Sequence, residues 1–383
     1  MTICVVCDVL GQENNGTTIA AMNLIRSLRK RGHTVRIVCP DADREGEEGF
    51  YVVSTLNVGP LNEYVKKNGV VLARRDRQVL LRALDGVDAL HVMLPFPLGI
   101  EAMKLAKQRD LPVTAGFHCQ AENLTSHLFL KNSAMASRIV YKEFYRLFYR
   151  YVDAVHYPTE FIRRTFERYG GKTNAYVISN GVSADFRPIS VERQEELKGK
   201  YVILFTGRLS KEKCHHLLLE AVAQSAHEKQ IQLVFAGDGP LKEKIIARGK
   251  TLTNPPIIRF FSREEMVRTI NSADLYVHPA EIEIEAISCL EAISCGLVPV
   301  INDSPRSATR EFALDDKNLF ACSDPADLAR KIDYWLDHPE ERAARSREYV
   351  GYTRQFDFET CMDRMEEMIV QTHADVTRRL ADA

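Results

Sequence analysis

A chain of 383 residues, 45% hydrophobic and 27% charged, is long enough for two domains, each with a core of its own. It has no run of about 20 apolar residues, which excludes a membrane-spanning helix, and MTICVVCDVLGQ lacks the basic and apolar segments of a secretion signal. The net charge of −1 conceals an asymmetry: 24 Lys and Arg face 18 Asp and Glu in residues 1–180, and 27 face 34 in the remainder, so the first half is the one suited to an anionic partner.

Short β-branched runs alternate with helical patterns from the start. TICVVCDV predicts a strand, TIAAMNLIRSLRKRG a helix closing on Gly32, and TVRIVC the next strand. Cys4 and Cys7 form a C-x-x-C inside the first strand rather than at a strand-to-helix turn, so they read as buried strand residues. The nine cysteines together suit a reducing cytoplasm. ALHVML, PVTAGF and AVHYP continue the series. After about residue 180 it restarts with YVILFTG, a helix from about Cys214, then IQLVFAG, PIIRFF, DLYVHP and LVPVI, and beyond Asp324 the pattern is helical. Such alternation predicts an α/β protein of two successive doubly wound units, each a parallel sheet covered by helices. The polar stretch SNGVSADFRPISVERQEELKGK, carrying Pro188, is the expected join. Domains are expected at 1–185 and 186–354, with a C-terminal helix at about 355–383 packing back on the first.

In doubly wound units ligands bind beyond the carboxyl ends of the strands. The first strand leads into GQENNGTT and a helix, where Gly16 allows close backbone approach and the helix N-terminus favours negative charge. This is not G-x-G-x-x-G, and an ordinary loop accounts for it as well as a binding loop. PVTAGF runs into His118 of HCQAEN, placed to donate to a sugar hydroxyl, to move a proton, or simply to end the strand. RLSKEK after YVILFTG puts Arg208 and Lys213 where a diphosphate needs compensating charge, although a solvated loop has the same composition. In FAGDGPLKEK, Gly237 and Gly239 mark a turn on the ligand-facing rim, mainly structural, before Pro240 opens a helix. DAD at 41–43 has the form of a metal-binding D-x-D but reads as a surface turn.

EIEIEAISCLEAISCG, residues 281–296, is the most informative segment. Glu283 falls in the loop after DLYVHPAE, a helix is expected from about Ala286, and Glu291 lies within its next turns. The N–H groups of Glu285, Ala286 and Ile287 are then available to phosphate. Glu283 can accept from sugar hydroxyls, and Glu291 can take both hydroxyls of a ribose. AISCLEAISCGLVPV is too apolar for Glu291 to sit on a solvated face. Glu281 and Glu285 read mainly as loop charges, with Glu285 also able to touch the sugar.

E-x7-E after a strand and His-Pro, with G-R-L-x-x-x-K upstream, resembles the retaining glycosyltransferases of the GT-B fold, family 4. SNGV at 179–182, AGDGP and His118 extend the likeness over most of the chain. HPAEIEIEAISCLEAISCGLVPVINDSPRSAT and FALDDKNLF are similar to bacterial α-monoglucosyldiacylglycerol synthases. The resemblance implies two Rossmann-like domains facing a deep interdomain cleft, and a UDP-sugar donor with no obligatory metal. It implies a catalytic region at His118 and Glu283, with Glu283 on the donor hexose, Glu291 on the ribose, and Arg208 with Lys213 on the diphosphate. Two positions depart from the family pattern: Glu285-Ala286 stands where many members have Phe-Gly, and Cys214 where a glycine is common.

RIVYKEFYRLFYRYV, 138–152, predicts a helix with Val140, Phe144, Leu147, Phe148 and Tyr151 on one face. Arg138, Lys142, Arg146 and Arg150 line the other, bordered by Tyr141, Tyr145 and Tyr149. Aromatics beside a basic face suit a lipid–water interface, and four cations at about 1 kcal/mol each support reversible docking on an anionic leaflet. A solvated face of a core helix has the same pattern, and no nucleic-acid motif accompanies it. The expected function is transfer of α-glucose from UDP-glucose to diacylglycerol, peripherally at the cytoplasmic membrane surface. Another hexose donor, another lipid or soluble sugar acceptor, and a nucleotide-sugar-binding scaffold are the alternatives.

Overall fold

The computed structural model describes residues 1–10, 16–57, 59, 72–122 and 133–382. They form two compact units, Met1–Asn180 with Cys361–Ala383, and Gly181–Thr360.

The first unit is a parallel sheet of β1 (Thr2–Val6), β2 (Thr34–Cys39), β3 (Phe50–Val52), β4 (Ala89–Val92), β5 (Val113–Gly116), β6 (Ala154–Tyr157) and β7 (Ala175–Val177), in the order β3-β2-β1-β4-β5-β6-β7. Its helices are α1 (Gly16–Lys30), α2 (Arg77–Ala83), α3 (Pro97–Lys107), α4 (Ala134–Leu147) and α5 (Glu160–Tyr169). β1, β4, β5 and β6 are almost wholly buried, as strands covered on both faces must be. β3 and β7 have only 3 residues each, too short to show as a periodic pattern in the sequence.

The second unit repeats the plan with β8 (Tyr201–Thr206), β9 (Ile231–Ala236), β10 (Ile257–Arg259), β11 (Leu275–His278), β12 (Pro299–Asn302) and β13 (Leu319–Phe320), ordered β10-β9-β8-β11-β12-β13. Its helices are α6 (His215–Gln224), α7 (Lys242–Gly249), α8 (Arg263–Ser272), α9 (Ile287–Ser294), α10 (Pro325–Asp337) and α11 (Pro339–Tyr352). Strand order reverses between β8 and β11, which pair in parallel with Leu275 beside Ile203. The loops leaving these two strands therefore diverge from a common point, the usual ligand crevice of such sheets. Trp335 is fully buried, and its indole N–H donates to the Lys317 carbonyl at 3.0 Å.

The final helix, α12 (Phe358–Ala381), starts in the second unit and joins the first from Cys361. Its Arg364 donates to the Val177 carbonyl at 2.9 Å, and Glu366 meets His33 at 2.7 Å.

The basic segment departs from the predicted uninterrupted helix. α4 stops at Leu147, Phe148 has φ −141° and ψ −70°, and a single 3-10 turn covers Tyr149–Tyr151. The break turns Phe148 and Tyr149 into the core and leaves Leu147 and Tyr151 exposed beside the cations rather than on the apolar face.

Candidate active site

At the switch point of the second unit, the loop after β8 carries Arg208 and Lys213, and the loop after β11 carries Glu283. Lys213 Nζ pairs with Glu283 Oε1, and His278 Nε2 reaches the same oxygen at 3.2 Å. Burial opposes the charge on Glu283. The Lys213 ammonium and the His278 hydrogen bond outweigh it and draw the carboxyl down to about 2. The backbone of Glu283 is strapped in place, its carbonyl accepting from Ala308 N at 2.9 Å. Glu281, read as a loop charge, is tied down instead: its side chain pairs with Arg306 and its carbonyl accepts from Ser304 Oγ at 2.7 Å. Glu285 departs further from that reading, being buried.

Ala286 caps α9 in the left-handed region, φ 62° and ψ 64°. An L-residue there costs about 1–2 kcal/mol that glycine avoids. Cys214, at the head of α6, has φ 51° and ψ 39°. The two places where the family pattern has glycine are thus both left-handed here, so Ala286 and Cys214 bear backbone strain. Ile287 opens α9, where the first N–H groups lack intrahelical acceptors. Glu291 follows in the next turn, partly buried. Burial pushes its carboxyl up to about 7, with Arg263 pulling against it, and no hydrogen-bond donor among the described residues engages that carboxyl. A Glu283 paired through one oxygen and a Glu291 with no hydrogen-bond donor among the described residues thus stand on one loop and helix.

Gly237 belongs to the floor. A Cβ there would lie 1.9 Å from the Gly207 carbonyl oxygen, so only glycine lets the loops after β8 and β9 touch. Leu209 N to the Asp238 carbonyl (2.9 Å) and Leu241 N to the Leu209 carbonyl (2.9 Å) lock them together.

In the first unit, His118 follows β5 and turns back over Gly116, where a Cβ would come within 2.4 Å of its Nε2. Its ring meets His156 edge-on, centroids 5.5 Å apart. Burial, then His156 and His91, hold its imidazole well below the usual range, so it is neutral at pH 7. Thr17 Oγ1 reaches the His118 carbonyl at 3.5 Å, which brings the N-terminus of α1 beside this histidine. A Cβ on Gly16 would meet nothing within 4 Å, so packing does not demand glycine there. Residues 11–15 of the first loop and Asn123 after His118 lie outside the described residues. Asp41 caps a 3-10 turn at Ala42–Arg44, the surface turn expected of DAD.

Arg138, Lys142 and Arg146 of α4 and Arg150 of the turn after it are exposed, and so are Met135 (74%), Ile139 (55%), Leu147 (43%) and Tyr151 (47%) around them. Tyr149 does not belong to this surface. It is 2% exposed, donates to the Gly116 carbonyl at 3.0 Å and packs on Phe117 and Phe166. Tyr145 is half-buried over Gly171, against Phe166.

Sequence comparison matches residues 14–186 to the model "Glycosyltransferase Family 4" and residues 187–350 to "Glycosyl transferases group 1". The chain belongs to the family 4 glycosyltransferases. As such it is a hexosyltransferase, and the two Rossmann-like sheets are those of the GT-B fold. It is 25% identical to an alpha-monoglucosyldiacylglycerol synthase of Streptococcus pneumoniae, over 80% of this chain and 72% of that one. A GDP-mannose-dependent alpha-mannosyltransferase of Corynebacterium glutamicum is 27% identical over 79% and 72%. The structure of HepE from Anabaena, in complex with UDP and glucose, superposes with a TM-score of 0.75 at 16% identity, covering 97% of this chain and all of that one.

Two contributors carry no signal of their own in the sequence. His278 is legible there only as part of His-Pro, and its hydrogen bond to Glu283 depends on the loop turning back over β11. His156 sits in AVHYP with nothing to tie it to His118 until β5 and β6 pair.

Proposed function

We propose that this glycosyltransferase moves α-glucose from UDP-glucose to diacylglycerol, giving monoglucosyldiacylglycerol, as a peripheral enzyme on the inner face of the cell membrane. The observation that carries the donor half is the contrast at α9. Glu283 is held ionised by Lys213 and His278, while Glu291 is partly buried without a hydrogen-bond donor among the described residues. Arg208 and Lys213 would bind the diphosphate, with the N–H groups at Glu285, Ala286 and Ile287 completing its cradle. Glu291 would take the ribose hydroxyls and Glu283 the hexose. As the glycosidic bond breaks, charge grows on the leaving diphosphate, and the cations stabilise that charge without reorganising. Neutral His118 would donate a hydrogen bond to a sugar hydroxyl near the reacting carbon, the location that the family resemblance implies. Retention of the anomeric configuration likewise rests on that resemblance.

The acceptor half rests on α4 and the turn after it, where four cations alternate with exposed apolar side chains, a surface suited to anionic lipid. The name of the streptococcal relative supports diacylglycerol, and the mannosyltransferases supply the second reading, GDP-mannose as donor. The deciding experiment incubates purified protein with UDP-glucose or GDP-mannose and vesicles carrying diacylglycerol, phosphatidylinositol or a sterol, or with a soluble hexose, and identifies products by mass spectrometry. Monohexosyldiacylglycerol from UDP-glucose is expected. Product from GDP-mannose alone, or from the soluble hexose alone, would overturn the donor or acceptor assignment respectively.

A further inference from the structure

We propose that His278, held by Tyr276 and Thr206, is a positioning residue that fixes the Glu283 carboxylate with Oε1 turned inward and Oε2 toward the substrate. The proposal rests on the reading of Glu283 as the hexose-binding carboxylate. Lys213 and His278 both bond Oε1, and no donor among the described residues reaches Oε2. One oxygen is therefore committed to the protein and the other kept for a hydroxyl.

The remaining bonds determine the proton on the ring. His278 is fully buried, and burial lowers its basicity, so it carries a single proton. An ionised Glu283 can only accept, which puts that proton on Nε2 and leaves Nδ1 as an acceptor. Tyr276 OH lies 3.2 Å from Nδ1 and is the group that donates to it. Thr206 Oγ1 stands 3.1 Å from the Tyr276 oxygen and 3.4 Å from the Ser288 carbonyl. With the single Tyr276 proton given to Nδ1, the Thr206 hydroxyl donates to the Tyr276 oxygen, and the Ser288 carbonyl at the start of α9 is left as a neighbour of Thr206. The relay thus runs from Thr206 at the end of β8 through Tyr276 and His278 of β11 to Glu283. All its members lie beneath the site, where water cannot replace a missing partner.

The test compares His278→Leu, His278→Gln and Tyr276→Phe, with Glu283→Gln as reference, using UDP-glucose and diacylglycerol vesicles for kcat and KM. Calorimetry with UDP and thermal melts accompany it. A glutamine amide can place an N–H where Nε2 stood, so it restores the donor that leucine removes. His278→Leu should lower kcat about 10–100-fold, the worth of one hydrogen bond to a charged group, with UDP affinity unchanged. His278→Gln should recover most of that loss, and Tyr276→Phe should fall between. In 15N-histidine spectra, the signal absent from His278→Gln should report the Nε2-protonated tautomer. If Glu283→Gln abolishes transfer while His278→Leu stays within twofold of wild type, the relay is wrong and the site reading survives. Wild-type transfer by Glu283→Gln would overturn both. An Nδ1-protonated ring, or equal loss of UDP affinity in the leucine and glutamine variants, would also overturn the relay.

Discussion

The Lys213 ammonium and the Glu283 carboxylate form an ion pair although 70 positions separate them in the chain. They meet because β8 and β11 are neighbours at the reversal of strand order. The folded-state pKa of Glu283, about 2, lies below its ordinary 4.5. The stabilisation is therefore complete above pH 4.5 and is lost as pH falls toward 2. Lys213→Met should lower stability at pH 7 by about 1.5–3 kcal/mol and the transfer rate about 10²–10³-fold. In denaturant melts the difference between the two proteins should be smaller at pH 3 than at pH 7. A pH-independent difference would remove the pair as the cause.

Glu291 predicts the opposite slope. Its folded pKa of about 7 exceeds 4.5, so this group's stabilisation is present below pH 4.5 and lost as pH rises through 7. Glu291→Gln should therefore melt higher than wild type at pH 8, with the advantage shrinking toward pH 5. It should also weaken UDP by about tenfold or more, because an amide cannot match a carboxylate on two hydroxyls. Glu283→Gln should leave UDP affinity nearly intact, since UDP carries no hexose. Equal loss in both variants would refute this division.

Gly116 is predicted to matter through His118. Gly116→Ala forces the ring away from its seat and should reduce transfer as much as His118→Ala, about 10²-fold, with UDP binding preserved. In a His118→Ala background it should cost little more, because both changes remove one function. Additive losses measured in the double variant would show that Gly116 acts elsewhere.

On α4 and the turn after it, replacing Arg138, Lys142, Arg146 and Arg150 together by Gln should reduce sedimentation with anionic vesicles, most at low salt where screening is weak. Tyr149→Phe should lower stability by about 1 kcal/mol, for one buried hydrogen bond, and leave vesicle binding alone. The reverse pattern would return the basic stripe to an ordinary solvated face.

Ala286→Gly should raise the melting temperature, the relieved strain of about 1–2 kcal/mol being partly offset by the greater unfolded-state entropy of glycine, for a net gain of up to about 1 kcal/mol. Cys214→Gly should gain less, because the buried thiol also contacts the Lys211 and Glu212 carbonyls at 3.6 Å. Unchanged or lower melting temperatures in Ala286→Gly would mean that the methyl packs better than its backbone geometry suggests.

By itself the sequence determined the alternation of strands and helices, and with it two doubly wound sheets, because period and chain breaks are local properties. It also determined which loops leave the carboxyl ends of strands, hence the neighbourhoods of Arg208, Lys213, Glu283 and His118. Only the tertiary structure decided how neighbouring charges divide their work. Glu281, Glu283, Glu285 and Glu291 are alike in sequence, yet one is tied to Arg306, one to Lys213 and His278, one is buried and one has no hydrogen-bond donor among the described residues. Tyr149 and Tyr145 look equivalent on a helical wheel until the break at Phe148 sends Tyr149 into the core. The physical reason is that burial and pairing depend on which distant segment folds over a residue, and strand order, not spacing along the chain, determines that.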